Sequence, residues 1–434
     1  MRPARSSLIA LGLLGACGAA QLLSWLSLEF YALLAGLIFA LASLDALRLK
    51  RTPTPLLTRS EVSVMALGVP RDLEMRVLNL ARRTLDLQIF DGYPGAWTAR
   101  GMPARLKLEV NKSATANYSL TSNARGHFVL ADAEIKIRSP WQFWTSLRRV
   151  DCARAVKVYP NFAPLAKLAM VGLEQASRSL GAHLKRRRGE GTDFHQLRDY
   201  RSGDSLRQID WKATQRVRRL ISRDYTDERN QRVLLLLDCG RRMLAHDGAL
   251  QHFDHALNAA LALGYIVLRQ GDSLGFLSSE DPPRWIPPSS GRATLDRILN
   301  GVFDTHASTA VTDFIEFAQT LLARYTRRSL VVILTNVRDE DIDDLLLAVG
   351  QLKTRHLVCV ASLREAVLDA ALAHRPETID AALLASATAQ YLTHRNHAHA
   401  QLRAAHAHVL DVTCTELAPA LVNHYLNLKR SGSL

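Results

Sequence analysis

Three sets of side chains in this sequence are of types that do chemistry. The first is Asp210-Trp211-Lys212, an acid and a lysine two residues apart, with Asp193, Asp199 and Asp204 upstream. On a strand, with a second carboxylate alongside, such a triplet could hold a divalent metal against a phosphodiester, as a metal-dependent nuclease or hydrolase does. Here it follows the turn signal Ser202-Gly203-Asp204 and leads into a basic, helix-like segment, a context that favours ion pairing over catalysis. The second set is His394, His397, His399, His406 and His408. His394 and His397 fall one helical turn apart, but no cysteine or carboxylate set converges with them. An alanine-rich helix surface explains them without a metal. The third is Asp238, the acid that closes the apolar run Val233-Leu234-Leu235-Leu236-Leu237.

Several classes of chemistry lack their residues altogether. There is no phosphate loop of the Walker type and no Ser/His/Asp set in hydrolase context, so neither nucleotide hydrolysis nor acyl transfer is expected, and no cofactor is implied. Cys17, Cys152, Cys239, Cys359 and Cys414 are scattered without paired spacing, which excludes a disulfide framework or a zinc site and fits a reducing compartment. A formal charge of +14 suits nucleic acid, anionic lipid or an acidic protein. The basic run Lys185-Arg186-Arg187-Arg188, and Arg216, Arg218, Arg219 and Arg223 after it, carry no aromatic interleaving. Contact with anionic headgroups is therefore expected, and nucleic acid is not.

The elements that must position these residues form several domains, since 434 residues exceed one ordinary core. From Leu8 to Leu47 only Glu29 and Asp45 are charged. A single helix of that length would run about 60 Å, roughly twice the hydrocarbon thickness. Residues 1–50 therefore read as a transmembrane hairpin with spans at about 8–24 and 30–47, turning at Trp25–Glu29. Gly12, Gly15, Ala19, Ala32, Ala35, Gly36 and Ala40 would allow close helix packing. Arg2 and Arg5 before the first span, and Arg48, Lys50 and Arg51 after the second, put both ends in the cytoplasm. Leu14-Gly15-Ala16-Cys17 resembles a lipoprotein cleavage site, a rival that the immediate second span disfavours.

Arg51-Thr52-Pro53-Thr54-Pro55 reads as a stiff linker into a region of short period-two runs, 51–160, expected to be a small β-sandwich. Residues 161–230 connect it to 231–434, where strands alternate with helices. Strands are expected at Val233–Asp238, Ser273–Ser279, Leu330–Thr335, His356–Ala361 and His408–Val412. Helices are expected at Gln251–Gln270, Thr312–Tyr325, Asp341–Leu352, Ile379–His406 and Leu417–Lys429. That alternation defines a doubly wound α/β sheet.

The connecting segment is the most distinctive stretch. Acids and bases interleave through Asp193, Arg198, Asp199, Arg201, Asp204, Arg207, Asp210 and Lys212, with Gly191, Tyr200 and Gly203 among them. The pattern predicts a network of charge-assisted hydrogen bonds around Trp211 that holds an irregular loop. Gly191–Trp211, with Gly203-Asp204, Arg207 and Ile209-Asp210-Trp211, resembles the bacterial family catalogued as domain of unknown function 58. The agreement continues through Leu237-Asp238-Cys239-Gly240-Arg241, Gln270-Gly271-Asp272 and Arg327–Val332. The order of anchor, β region ending Val158–Asn161, signature loop and α/β domain agrees as well.

The resemblance implies an α/β domain like a von Willebrand factor type A domain. It also implies partnership with a MoxR-type AAA+ ATPase, beside which such proteins are commonly encoded. Type A domains often hold a divalent metal through Asp-x-Ser-x-Ser, with a threonine and an aspartate from later loops. Here Asp238 keeps the first position, Gly240 and Arg242 replace the serines, Asn336 stands near the aspartate, and Thr309 or Thr312 could be the threonine. With Arg241 or Arg242 beside it, Asp238 is expected to be a remnant neutralised by a guanidinium rather than a metal ligand. The expected protein is a non-enzymatic adaptor in the bacterial inner membrane, with its soluble domains in the cytoplasm. The alternatives are a hydrolase or nuclease centred on Asp210 and Lys212, or a purely structural envelope scaffold.

Overall fold

The computed structural model describes residues 1–23, 27–168, 193–201, 206–226, 231–373 and 376–434, and for 193–195, 207 and 224–226 the backbone alone. Gly191, Gly203, Asp204, Trp25 and the run Lys185–Arg188 lie outside them. The chain divides into two compact units, Met1–Tyr159 and Pro160–Leu434.

The first unit contains two helices long and apolar enough to cross a membrane, α1 (Arg5–Leu22) and α2 (Leu28–Lys50). Ser27 caps α2 by accepting the Phe30 amide at 3.3 Å. The helices approach each other where Gly18 lies against the Tyr31 ring. A Cβ at Gly12, Gly15 or Gly36 would meet nothing, so the small residues there do not form the expected seam.

Eleven strands accompany the helices: β1 (Arg2–Pro3), β2 (Leu56–Arg59), β3 (Val64–Ala66), β4 (Arg71–Leu78), β5 (Leu85–Gly92), β6 (Thr98–Arg100), β7 (Ala104–Leu108), β8 (Ser113–Thr121), β9 (Gly126–Arg138), β10 (Trp144–Val150) and β11 (Arg154–Tyr159). They form a seven-stranded sheet built on β1-β10-β9-β11-β3, with β5 joined to β9 and β7 to β5, and a four-stranded sheet β2-β4-β8-β6. Alternation buries one side of each, as in Leu73, Met75 and Val77 of β4 and Leu85, Leu87 and Ile89 of β5. A polar rivet joins the sheets. The buried Asp91 of β5 accepts the Tyr118 hydroxyl of β8 at 2.6 Å and pairs with the Arg59 guanidinium of β2.

Residues 51–55 are tied down rather than acting as a spacer. Thr52 is buried, and its carbonyl accepts from Arg148 at 2.6 Å while its hydroxyl accepts from Arg83 at 2.8 Å.

After a helical stretch at 163–168 the second unit carries an antiparallel ribbon, β12 (Asp193–Asp199) and β13 (Ile221–Thr226), enclosing the short helix α3 (Trp211–Val217). Next comes a six-stranded sheet of β14 (Arg232–Leu237), β17 (Ser273–Ser278), β18 (Trp285–Ser289), β19 (Leu330–Thr335), β20 (Leu357–Arg364) and β21 (His408–Thr413). The short pair β15 (His246–Asp247) and β16 (Leu250–Gln251) stands apart. The order is β18-β17-β14-β19-β20-β21, parallel except for the edge strand β18, where Pro287 and Pro288 are tolerated. The unit's remaining helices are α4 (His252–Arg269), α5 (Arg292–Val302), α6 (Phe314–Arg324), α7 (Ile342–Leu352), α8 (Ala366–Ala373), α9 (Ile379–Ala404) and α10 (Leu417–Arg430).

Period-two geometry sends Val233, Leu235 and Leu237 to one face under α4, α5 and α10, and Leu234 and Leu236 to the other under α6, α7 and α9. The sheet is thus covered on both sides, which is why its central strands are uninterrupted apolar runs. In chain order the strands read 3-2-1-4-5-6, so the winding reverses between β14 and β19. In sheets of this kind the crevice beyond the carboxyl ends of those two strands is where a site forms.

Candidate functional site

Asp238 directly follows β14 and faces that crevice from below the surface, 2% exposed. Its carboxylate is fully engaged. Oδ1 accepts the Thr312 hydroxyl at 2.5 Å and the Gly240 amide at 2.8 Å; Oδ2 accepts the Thr335 hydroxyl, from the end of β19, at 2.6 Å. Burial pushes the Asp238 carboxyl above the usual carboxylate range, and the three donors offset part of that shift. The expected guanidinium neutralisation is not what occurs. Arg242 turns away to pair with Asp341 and, at 2.6 Å, with Glu340, whose carboxylates exceed Asp238 in accessibility; Arg241 is half-exposed, 4.0 Å from Glu340.

A divalent cation does not fit this donor set. Of the two hydroxyl positions the resemblance implies, Arg242 offers a cation. Gly240 has no room for a side chain, because its Cβ would lie 2.4 Å from Thr312 Oγ1. The threonine hydroxyl occupies the space a serine there would need. A hard cation wants about six oxygens, and Asp238, Thr312 and Thr335 bring far fewer free lone pairs. Among the described residues no group of three or more His, Cys, Asp or Glu side chains could hold a metal ion.

Beside Asp238, under the ends of β19, β20 and β21, lies a buried polar network that sequence reasoning missed apart from Asn336 and His399, the latter weighed only as a metal ligand. Arg395 of α9 is 1% exposed and donates to Asn336 Oδ1 (2.8 Å), the Val337 carbonyl (2.8 Å), Ser362 Oγ (2.6 Å), the Leu363 carbonyl (2.6 Å) and Asp411 Oδ1 (3.0 Å). Asn336 in turn donates to Glu365 at 3.1 Å and lies 3.4 Å from Nδ1 of the buried His252. His399, also of α9, sits 3.5 Å from Asp411, and burial lowers its pKa to about 4. These groups fix the loops that frame Asp238. Sequence offered no signal that set Arg395 apart from the other polar residues of an alanine-rich helix. His394, by contrast, is exposed against Asp339, and His408 stacks near His424, so the histidines do not converge.

The described signature residues fall on the ribbon, a 3₁₀ turn and α3. Asp210 caps α3, its Oδ1 accepting the Lys212 and Ala213 amides at 3.0 Å each while Oδ2 takes Arg223 Nε at 2.9 Å. Those bonds hold its carboxyl below the ordinary range, the Ala213 amide first among them. The Tyr200 amide donates to the Leu220 carbonyl, and Arg198 donates to the Asp199 carbonyl at 3.2 Å. Trp211 is 67% exposed and Lys212 is exposed, so the indole is not the buried centre of this segment, while the side chains of Asp193, Asp204 and Arg207 named for the expected network lie outside the described residues. Asp193 and Arg207 lie on the ribbon and on a 3₁₀ turn respectively, described by backbone alone.

Residues 196–408, just under half of the chain, match the family described as protein of unknown function DUF58, which supports the family resemblance of the signature. No curated protein matches the chain. Solved structures with some likeness include the cupredoxin domain of amoB from Nitrosocaldus yellowstonii (8% identity, 24% of this chain, 84% of that one, TM-score 0.17). Others are a FixG-related protein from Vibrio parahaemolyticus (10%, 24% and 94%, TM-score 0.17) and Escherichia coli alpha-2-macroglobulin activated by porcine elastase (16%, 24% and 9%, TM-score 0.18). Likenesses at these scores carry no argument about fold or function.

Proposed function

We propose that this chain is a membrane-anchored, non-enzymatic adaptor. In this reading its second unit is a von Willebrand factor type A-like domain that presents the Asp238–Arg242 face to a MoxR-type AAA+ ATPase during assembly or maturation of protein complexes. The observation that carries the proposal is the Asp238 carboxylate, closed off by two threonine hydroxyls and an amide at the switch point of a doubly wound sheet. A site so placed, with no open coordination or nucleophile, suits a contact surface better than a reaction centre. Around it Arg241, Arg242, Glu340 and Asp341 form a charged rim of the kind that steers a protein partner.

The first unit is read as an Ig-like β-sandwich at the base of the transmembrane hairpin, in the bacterial inner membrane with the soluble units in the cytoplasm. Support comes from the flanking basic residues and from both hairpin ends meeting at β10: Arg2 and Pro3 pair with it, and Arg148 of β10 donates to the Leu49 carbonyl of α2. Detergent extraction of the tagged chain followed by mass spectrometry of co-purifying proteins tests the partner. Recovery of a MoxR-type ATPase is the expected result, and its repeated absence under cross-linking overturns the proposal.

A further inference from the structure

The β9–β10 loop, Ser139-Pro140-Trp141-Gln142-Phe143, and Trp144 at the start of β10 are built onto the last turns of α2. Asp45 is wholly buried and accepts from the Ser139 hydroxyl and from the Trp141 and Phe143 amides at 3.2 Å each. Trp144 Nε1 donates to the Ala42 carbonyl at 2.8 Å, and the Arg48 guanidinium lies 4.6 Å from the centre of the Trp141 ring. The other end of the hairpin arrives at the same loop, where the Ala4 amide donates to the Phe143 carbonyl at 2.8 Å.

This junction sets a depth. After Glu29, α2 carries no charge until Asp45. Seventeen residues from Leu28 to Leu44 rise about 25 Å, most of a hydrocarbon core of about 30 Å. A bare carboxylate at that point would be costly in lipid, and the loop shelters it from lipid and water alike. Beside it stand Trp141, 39% exposed, and the half-buried Phe143 and Trp144, with Arg48 against the Trp141 ring, Arg2 paired to Thr145 of β10, and Lys50 and Arg51 following in the sequence. Indole rings beside cations are the side chains that settle among phospholipid headgroups.

Resting on the reading of α1 and α2 as membrane spans, we propose that Trp141, Phe143 and Trp144 form a lipid-docking collar in the headgroup layer. The collar seats the first unit against the bilayer surface instead of holding it off on a stalk. The lipid occupant is argued from continuity with the spanning helices and from the basic residues that complement anionic headgroups.

The test uses the full chain in lipid discs containing phospholipids brominated either near the ester end or near the methyl end of the acyl chain. The emission difference between wild type and Trp141→Phe isolates this indole from the other five tryptophans. It should be quenched about twofold or more better by shallow than by deep bromine, the signature of an interfacial indole. Quenching of that difference by an aqueous iodide probe with indifference to bromine overturns the collar while leaving the spans intact. Shielding from both, with cross-linking of two chains through this loop, overturns it in favour of a second copy. Failure of the chain to enter discs at all overturns the spanning reading together with the collar.

Discussion

A serine at position 240 would set its Cβ 2.4 Å from the Thr312 hydroxyl, and the two could coexist only if Thr312 released Asp238. Gly240→Ser should therefore destabilise the second unit by about 1–3 kcal/mol, as overpacked sites do, without creating a calorimetric signal with Mg²⁺. A stable variant that binds Mg²⁺ would show that only the missing hydroxyl had closed the site. His399 makes a second prediction. Its pKa, lowered by burial from about 6.5 to about 4, means the unfolded chain takes up a proton on acidification before the folded chain does. The contribution is constant above about pH 6.5 and stability falls as pH drops from there towards 4, and the lowered pKa values of His252, His356 and His424 act in the same direction. Denaturant midpoints measured between pH 7 and pH 5 should fall, and His399→Asn should flatten part of that slope; an unchanged slope contradicts the assignment. Asp238 was legible because an acid ending an apolar run marks a strand's carboxyl end. Thr335 and Arg395 were not: the first reads as the last residue of a strand, the second as one more polar residue on an alanine-rich helix, and their partners lie 97 residues away and 16 to 59 residues away respectively.

The ribbon around α3 is held by a different economy of bonds. Asp210→Ala removes the cap that receives two amides and the partner of Arg223, so α3 should fray and its amide protons exchange faster, while β14 and β19 keep their protection. Unchanged exchange in 211–217 would deny the capping role. Among elements, sequence pattern found the sheet almost to the residue: Leu330–Thr335 coincides, and Ser273–Ser278, His408–Thr413 and α4 differ from expectation only at their ends. Their signals are local, since a buried parallel strand is apolar throughout and an amphipathic helix keeps its 3.6-residue period. Strand β18 escaped because Pro287 and Pro288 lie inside it, which only an edge position permits. The ribbon escaped because its interleaved charges mask any two-residue apolar alternation in the sequence. The docking of α2 escaped for a third reason: Asp45 looks like the end of a span, and its partners at residues 139–143 are found only by long-range folding.

On the scale of the whole molecule, the chain is a membrane-type hairpin with strands built onto it, followed by a doubly wound sheet whose switch point carries a sealed carboxylate. In the adaptor reading proposed above, charge is the handle by which a partner would take hold. Reversing the rim in Arg241→Glu leaves the buried bonds of Asp238 untouched, because Arg241 is half-exposed and only loosely paired. Affinity purification of wild type and of Arg241→Glu from the same detergent extract is the most direct measurement of the adaptor reading. A MoxR-type AAA+ ATPase should co-elute with wild type and bind Arg241→Glu about tenfold more weakly, the range expected of a rim charge that meets its complement. Equal recovery with both chains would move the contact away from the Asp238 face. Recovery with neither, after cross-linking in intact cells, would contradict the adaptor account itself.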